Sequence, residues 1–197
     1  MPTPSTPADD SPQAAHPALD VRHDTFVITR NLDAPRREVF TAFADNQIRQ
    51  RWHRLPGSGV SYRHEFRVDS GEHARSTFTM PDSDPEQLAY RSRYLDIVEN
   101  RRIVFTYASS VDDILRWTSL VTVLLADGEE DGSTLTWTEQ AVFLTRTGDG
   151  SADLPHLRGA TGLRLNGLAA TLESGRRSGH RLPPASPPLL GEEGEHP

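Results

Sequence analysis

A single carboxylate, Glu139, lies in a stretch of the sequence that is otherwise apolar on one side. Residues 132 to 143 read GSTLTWTEQAVF, a pattern typical of a strand, in which successive side chains point to opposite faces. Glu139 then shares its face with Leu135, Trp137, Ala141 and Phe143. A buried carboxyl group is costly unless it is paired, and burial favours its neutral form, which suits a general acid or base. Glu139 is therefore the leading candidate for chemistry. The alternative is a structural carboxylate that lies near the rim of the sheet, or that is satisfied by an Arg or a Tyr hydroxyl and merely fixes the sheet.

Four side chains from other segments are candidate partners of Glu139. Arg30 alternates into the same face as Phe26, Ile28 and Leu32, so it is either an edge cation that reaches solvent or a counter-charge inside a cavity. The other partners are His53, Tyr90 and Tyr107. The catalytic candidates that follow are Glu139, Tyr107 and Arg30.

Aromatic side chains recur on the faces that the strand pattern turns inward, and they could line an apolar pocket with a few polar groups to orient a ligand. The alternative is ordinary core, because strands are rich in aromatic residues in any case. The predicted ligand-binding residues are Trp52, His53, Phe66, Phe78, Tyr90, Tyr107, Trp117, Trp137, Glu139, Phe143 and Leu165.

Several kinds of chemistry are excluded or disfavoured by composition and motif. The chain has no cysteine, and all 21 of its basic residues are arginine, so thiolate metal sites, cysteine nucleophiles and lysine Schiff bases are excluded. Neither a glycine-rich phosphate loop nor a Gly-x-Ser-x-Gly elbow is present. The pairs His64/Glu65 and Glu72/His73 suggest metal ligands, but adjacent strand residues point to opposite faces. We predict no metal and no cofactor.

The net charge of the chain indicates which classes of binding partner are favoured or disfavoured. A formal net charge of −7 disfavours nucleic acid, whose affinity for proteins comes largely from clustered cations. Arginine clusters, such as Arg49, Arg51 and Arg54, are most simply interpreted as solvated faces, with an anionic-ligand or partner-docking patch as the alternative.

The organisation along the chain predicts one domain between two tails. Residues 1 to 22 and 175 to 197 are rich in Pro, Gly, Ser and charge and are predicted to be disordered, which leaves a domain over residues 23 to 174. No secretory signal and no apolar run of membrane-spanning length is found. We therefore expect a cytoplasmic protein with no membrane association.

The periodicity within the domain predicts a strand from Thr25, two short helices, a run of antiparallel strands and a C-terminal helix. Asp33 is expected to cap the first helix, with Val39, Phe40 and Phe43 inward. Val60 to Val68 is predicted as the next strand. The final helix is expected from about Ala152 to Glu173, because six residues recur at steps of three and four: Leu154, Leu157, Thr161, Leu165, Leu168 and Leu172.

Four stretches resemble a known family: TFVITRNLDAPRREVFTAFAD, SRYLDIVENRRIVFTY, SLVTVLL and GSTLTWTEQAVFL. They are similar to the bacterial START-like (SRPBCC) superfamily, in the branch related to the activator of the heat-shock protein 90 ATPase. The resemblance covers about Thr25 to Leu172. It implies an α+β helix-grip fold, in which a curved antiparallel sheet of about seven strands wraps around the C-terminal helix and encloses a cavity.

Three functions follow, and the sequence leaves them open. The first is binding of a small hydrophobic or aromatic molecule between the sheet and the last helix. The second is an aromatase/cyclase or dehydratase that moves protons on a polyketide-like substrate through Glu139 with Tyr107 or Arg30. The third, suggested by the resemblance alone, is a co-chaperone-like domain with a chaperone partner. A homodimer is a further expectation.

Overall fold

A computed structural model describes residues 21 to 177. The chain forms seven strands and three helices in the order β1 (Arg22–Leu32), α1 (Arg36–Ala44), α2 (Asn46–Trp52), β2 (Ser58–His64), β3 (Glu72–Phe78), β4 (Glu86–Val98), β5 (Arg102–Val111), β6 (Ile114–Asp127), β7 (Ser133–Phe143) and α3 (Asp153–Arg177). This element order confirms the predicted α+β helix-grip architecture.

All seven strands belong to one antiparallel sheet with the order β1-β7-β6-β5-β4-β3-β2. The first strand pairs with the last, so β1 and β2 form the two edges, and every other neighbouring pair is a hairpin or meander connection. The register places Phe26 opposite Glu139 and Ile28 opposite Trp137. Because residues directly opposite each other share a face, the inner residues of β1 and β7 form one continuous surface.

The two short helices close one end of the sheet. Asp45 caps α2, since its side chain accepts hydrogen bonds from the backbone N–H groups of Gln47 and Ile48. The prediction that Asp33 caps α1 is wrong: the N-cap is Pro35, which has extended backbone and no side-chain cap. The predicted inward residues of α1, Val39, Phe40 and Phe43, are buried.

Helix α3 packs against α1, α2 and β1 and carries the predicted stripe. Its buried residues are Leu157, Thr161, Leu165, Leu168 and Leu172, and Leu154 is partly buried against the same core. We call the sheet surface beneath α3 the inner face. Its buried residues, together with those of the helices, form one core, as expected when a single sheet packs against a helix layer.

Three boundaries differ from the sequence prediction. Strand β1 begins at Arg22, earlier than the predicted Thr25, so Arg22 belongs to a strand although it was predicted to belong to the N-terminal tail. Strand β2 ends at His64, so Phe66 and Val68 lie in the following loop, where the chain turns back through Asp69, whose φ is 68°. Helix α3 continues to Arg177, so residues 175 to 177 are helical although they were predicted to belong to a tail. The rest of the predicted tails, residues 1 to 20 and 178 to 197, lies outside the described residues.

Candidate functional site

Glu139 is completely buried at the centre of the inner face. Its side chain has 0% exposure, which excludes a position at the solvent-exposed rim. Oxygen Oε2 accepts hydrogen bonds from Trp137 Nε1 at 2.9 Å and from Thr161 Oγ1 at 3.4 Å, and Oε1 accepts one from the Tyr107 hydroxyl. Since Thr161 belongs to α3, the carboxylate links the sheet directly to the helix that covers it.

Tyr107 is held as a proton donor. Burial raises the pKa of its hydroxyl well above the ordinary value, and the negative charge of Glu139 raises it further. The same oxygen accepts a hydrogen bond from Trp117 Nε1 at 3.1 Å. Trp117, Tyr107 and Glu139 therefore form a relay of hydrogen bonds that runs from a half-buried indole to the buried carboxylate.

The hydroxyl of Ser119 lies beside this relay of hydrogen bonds. It lies directly opposite Tyr107 on β5 and Ala141 on β7, so its side chain shares the inner face with both. The residue is buried, and within residues 21 to 177 its Oγ makes no hydrogen bond of standard geometry, although it lies close enough to the Tyr107 hydroxyl to lower the pKa of that group. Buried polar atoms without a partner are rare and need an explanation.

A second buried carboxylate, Glu72 on β3, forms an ion pair with Arg49 on α2. Arg49 Nε and Nη2 donate to the two carboxylate oxygens at 2.9 and 2.7 Å. The Tyr62 hydroxyl donates to Glu72 Oε1 at 2.6 Å, and His53 Nδ1 lies 3.4 Å from the same oxygen. Arg49 Nη1 is buried without a hydrogen-bond partner among the described residues, while the guanidinium carbon lies 4.3 Å from the centre of the Trp52 ring.

The charges of this second centre are fixed by burial and pairing together. Burial alone would raise the pKa of Glu72, but Arg49 and then His53 outweigh it and hold that pKa well below the ordinary range. Burial, reinforced by Arg49, lowers the pKa of His53 to about 4. At neutral pH the site therefore contains a carboxylate, a guanidinium and a neutral imidazole.

Tyr90 connects the two centres. Its ring stacks on Tyr107 with centroids 5.0 Å apart and meets the edge of His53 at 5.2 Å. The positive charge of Arg164 on α3 acts on His53, Tyr90 and Tyr107, which places this half-buried side chain near the same interior. The ring contacts of Tyr90 with Tyr107 and His53 thus connect the Glu139 and Glu72 centres.

The other residues predicted to bind the ligand have contacts of their own or belong to the general core. Phe143 and Leu165 are buried in the core, Trp52 donates to the carbonyl of Ala42 at 2.9 Å, and Phe66 packs against Phe40 and Tyr94. Phe78 is half-buried at the end of β3.

Arg30 does not join the Glu139 site. It is half-buried on β1, and its Nη1 donates to the backbone carbonyl of Thr29 at 3.2 Å. Of the three catalytic candidates, the structure therefore brings only Tyr107 and Glu139 into contact.

Sequence reasoning missed Arg49, Glu72, Ser119, Thr161 and Arg164 as site residues. The interpretation of Arg49 as part of a solvated cluster is wrong, because its side chain has 0% exposure. A pattern that could have identified Glu72 was present: it alternates with Ala74 and Ser76, both of which are buried on β3. A charged residue in such a row requires a buried partner.

A metal-binding cluster and a membrane-spanning helix are both absent from residues 21 to 177. No group of three or more His, Asp or Glu side chains able to hold a metal ion occurs in the part of the chain that the structure describes. Among the same residues, no helix combines the length and apolar character needed to cross a bilayer.

Comparison with known proteins places the chain in a family. The model of the Activator of Hsp90 ATPase homolog 1-like protein family matches residues 33 to 173. A protein from Rhizobium leguminosarum of known structure is 31% identical, with a TM-score of 0.67, over 79% of this chain and 97% of its own. The Mll3558 protein from Rhizobium loti is 34% identical, with a TM-score of 0.62, over 77% of this chain and 99% of its own.

More distant structures share the fold alone. DynU16, a protein in the dynemicin biosynthetic locus, is 18% identical with a TM-score of 0.52, over 77% of this chain and 48% of its own. No curated protein matches the chain. The family predicted from the sequence is confirmed: this chain belongs to the Activator of Hsp90 ATPase homolog 1-like family, with the START-like (SRPBCC) fold.

Proposed function

We propose that the protein binds a small apolar or aromatic ligand between the inner face and α3, with Ser119 orienting it beside Tyr107 and Glu139. The observation that carries this proposal is Ser119, whose buried hydroxyl lacks a hydrogen-bond partner in the described chain and lies opposite Tyr107. A polar group of the ligand would complete this hydrogen bond. The rings of Tyr107, Trp117 and Trp137 beside Glu139 supply apolar contact of the kind that small-molecule sites use.

The location of the ligand follows from where the polar groups lie. Glu139 is already bonded to Tyr107, Trp137 and Thr161, so its carboxylate fixes these side chains. Among residues 21 to 177, the Ser119 hydroxyl is the neighbouring group that makes no hydrogen bond of standard geometry. Arg49 Nη1 provides a second donor without a hydrogen-bond partner among the described residues. It belongs to the Glu72 centre, which Tyr90 joins to Tyr107 through its contact with His53. A ligand with one or two acceptor atoms on an apolar frame matches this arrangement.

The test compares two buried serines. Replacement of Ser119 by Ala removes an unpaired buried polar atom, so we expect the free protein to gain about 1 kcal/mol while its affinity for a neutral aromatic probe, N-phenyl-1-naphthylamine, or for a co-purified ligand, falls. Ser92 is the matched control, because its Oγ accepts a hydrogen bond from Glu72 N at 2.9 Å and its replacement by Ala should lose stability. A Ser119→Ala protein that loses stability and keeps its affinity would contradict the proposal.

A proton-moving enzyme of the aromatase/cyclase or dehydratase type is the second candidate. It is favoured by the direct hydrogen bond between the Tyr107 hydroxyl and the Glu139 carboxylate, since this bond holds a proton donor and a carboxylate in fixed positions, and acid–base catalysis uses such positioned groups within hydrogen-bond reach of the substrate. Glu139→Gln should then abolish turnover of a polyketide-like substrate and leave its binding in place. A chaperone partner and a homodimer stay predictions from the sequence.

A further inference from the structure

A groove of about 610 Å³ lies between β1 and the first half of α3. Because β1 is an edge strand, no further strand of the described sheet covers this side. Ile28 on β1 and Leu154 and Pro155 on α3 give the groove apolar walls, and Arg30 and Arg158 add two cations.

Two glycines of α3, Gly159 and Gly162, keep this groove open. A Cβ atom built on Gly159 would meet nothing within 4 Å, and one on Gly162 would meet only Arg30 Nη2, at 3.9 Å. Close packing therefore does not require glycine at either position, although each glycine costs a helix roughly 1 kcal/mol relative to alanine. The space that a side chain would fill is the space of the groove.

The groove is positive on a protein that is acidic overall. The formal net charge of the chain is −7, yet no carboxylate lines the groove. Within residues 21 to 177, neither Arg30 nor Arg158 forms an ion pair with an acidic side chain. Two unpaired guanidinium groups beside apolar walls are complementary to an anionic group attached to an apolar body.

The groove also adjoins the Glu139 site. Thr161, which bonds to Glu139, immediately precedes Gly162 on α3. Ile28 lies opposite Trp137 in the sheet register, and the Trp137 indole bonds to the same carboxylate. Residues that line the groove, Ile28 and Gly162, are therefore direct neighbours of residues that bond to Glu139.

We propose that this groove is the entrance to the ligand site and that Arg30 and Arg158 bind the anionic head of an amphiphilic small molecule whose apolar body enters beneath α3. This inference rests on the proposed function and narrows the ligand to an apolar molecule with one acidic group. The head stays at the two arginines, separated from the negative charge of Glu139.

The experiment uses two fluorescent probes that share one ring system. 1-Anilinonaphthalene-8-sulfonate is anionic, and N-phenyl-1-naphthylamine lacks the sulfonate. The full-length protein should bind the anionic probe about tenfold more tightly. The double variant Arg30→Gln/Arg158→Gln should lose this preference and keep its affinity for the neutral probe within about twofold.

A second pair of variants tests the entrance. Gly159→Leu should weaken binding of both probes because its side chain fills the groove. Gly175→Leu is the matched control, since Gly175 lies on the last turn of the same helix and a Cβ there also meets nothing within 4 Å. It should leave both affinities unchanged, and circular dichroism would verify that each variant folds.

The outcomes separate this inference from the proposed function. Equal affinity of the two probes for the natural protein, or an equal loss of both in the arginine variant, would overturn the anionic-head assignment and leave ligand binding intact. Unchanged affinities in Gly159→Leu would overturn the entrance. Failure of both probes to bind the natural protein would overturn the inference and the proposed function together.

Discussion

Arg49 and Glu72 form an ion pair with two hydrogen bonds that is shielded from water on all sides. The side chains have 0% and 1% exposure. Arg49 lies on α2, and Glu72 lies on β3, which is next to the edge strand β2. Two ions are costly to bury, and this cost is offset when the geometry is good and further hydrogen bonds satisfy the charges. Tyr62 and His53 contribute to that satisfaction at Glu72.

Removal of one member of this pair should be strongly destabilising. Glu72→Gln leaves the Arg49 charge buried without a counter-ion, so we expect the free energy of unfolding to fall by about 3–5 kcal/mol. Urea unfolding at neutral pH measures this. Glu65→Gln is the control, because Glu65 pairs with Arg67 on the surface and its replacement should have no measurable effect. Equal stability of the Glu72 and Glu65 variants would refute a structural role for the buried pair.

Stability should decrease as the pH falls from about 6.5 to about 4. Burial lowers the pKa of His53 and of His64 from 6.5 to about 4, so the unfolded chain binds more protons than the folded one in this range. Each histidine then contributes a slope of about 1.4 kcal/mol per pH unit. The contribution is complete above pH 6.5 and is lost towards pH 4. Below 4.5, protonation of Glu72 in the unfolded chain continues the loss in the same direction.

A histidine substitution isolates this pH effect. His64→Gln should reduce the slope by about half, whereas a substitution at the exposed His73 should leave it unchanged. Thermal unfolding across this pH range provides the measurement. A flat stability profile between pH 6.5 and 5 would show that neither buried imidazole resists protonation.

Tyr107 and Glu139 should be energetically coupled. Tyr107→Phe leaves a carboxylate oxygen without its donor and the Trp117 indole without its acceptor, so we expect a loss of about 1–3 kcal/mol. A double-mutant cycle with Glu139→Gln should give an interaction energy above about 0.5 kcal/mol. Strictly additive losses would mean that the hydrogen bond between the two side chains contributes nothing to stability.

Two glycines should respond in opposite directions to the same substitution. A Cβ on Gly71 would lie 2.0 Å from the backbone oxygen of Ser92, whereas one on Gly175 meets nothing within 4 Å. Gly71→Ala should therefore destabilise by about 1–3 kcal/mol or more, and Gly175→Ala should stabilise α3 by about 0.5–1 kcal/mol. Urea midpoints of the two variants are the measurement, and a stable Gly71→Ala protein would place the β2–β3 turn farther from β4.

The architecture was predictable because it depends on periodicity. Alternation identified the inner residues of β1 and β7, including Glu139, and the three- and four-residue steps identified the buried stripe of α3. The β2 boundary was misplaced because Phe66 continues the alternation after the strand has ended. Its ring is partly buried by packing against Phe40, a contact between distant segments that the local pattern does not encode.

The candidate site was predictable only in part, because its polar contacts join segments far apart in the chain. Tyr107 and Glu139 were named as partners, since both lie on inner faces of strands. The partnership of Arg49 with Glu72 was not, because it depends on how α2 is placed against β3. An arginine beside other arginines resembles a solvated surface, and only tertiary packing reveals that its side chain points inward.

The three tryptophan indoles of the chain report directly on a ligand bound beside Glu139 beneath α3. Trp117 and Trp137 bond to Tyr107 and Glu139, whereas Trp52 bonds to the carbonyl of Ala42. In a ¹⁵N-labelled protein titrated with N-phenyl-1-naphthylamine, the indole N–H signals of Trp117 and Trp137 should shift with saturation, while that of Trp52 stays in place. Saturable binding that leaves the Trp117 and Trp137 signals unmoved would contradict the account.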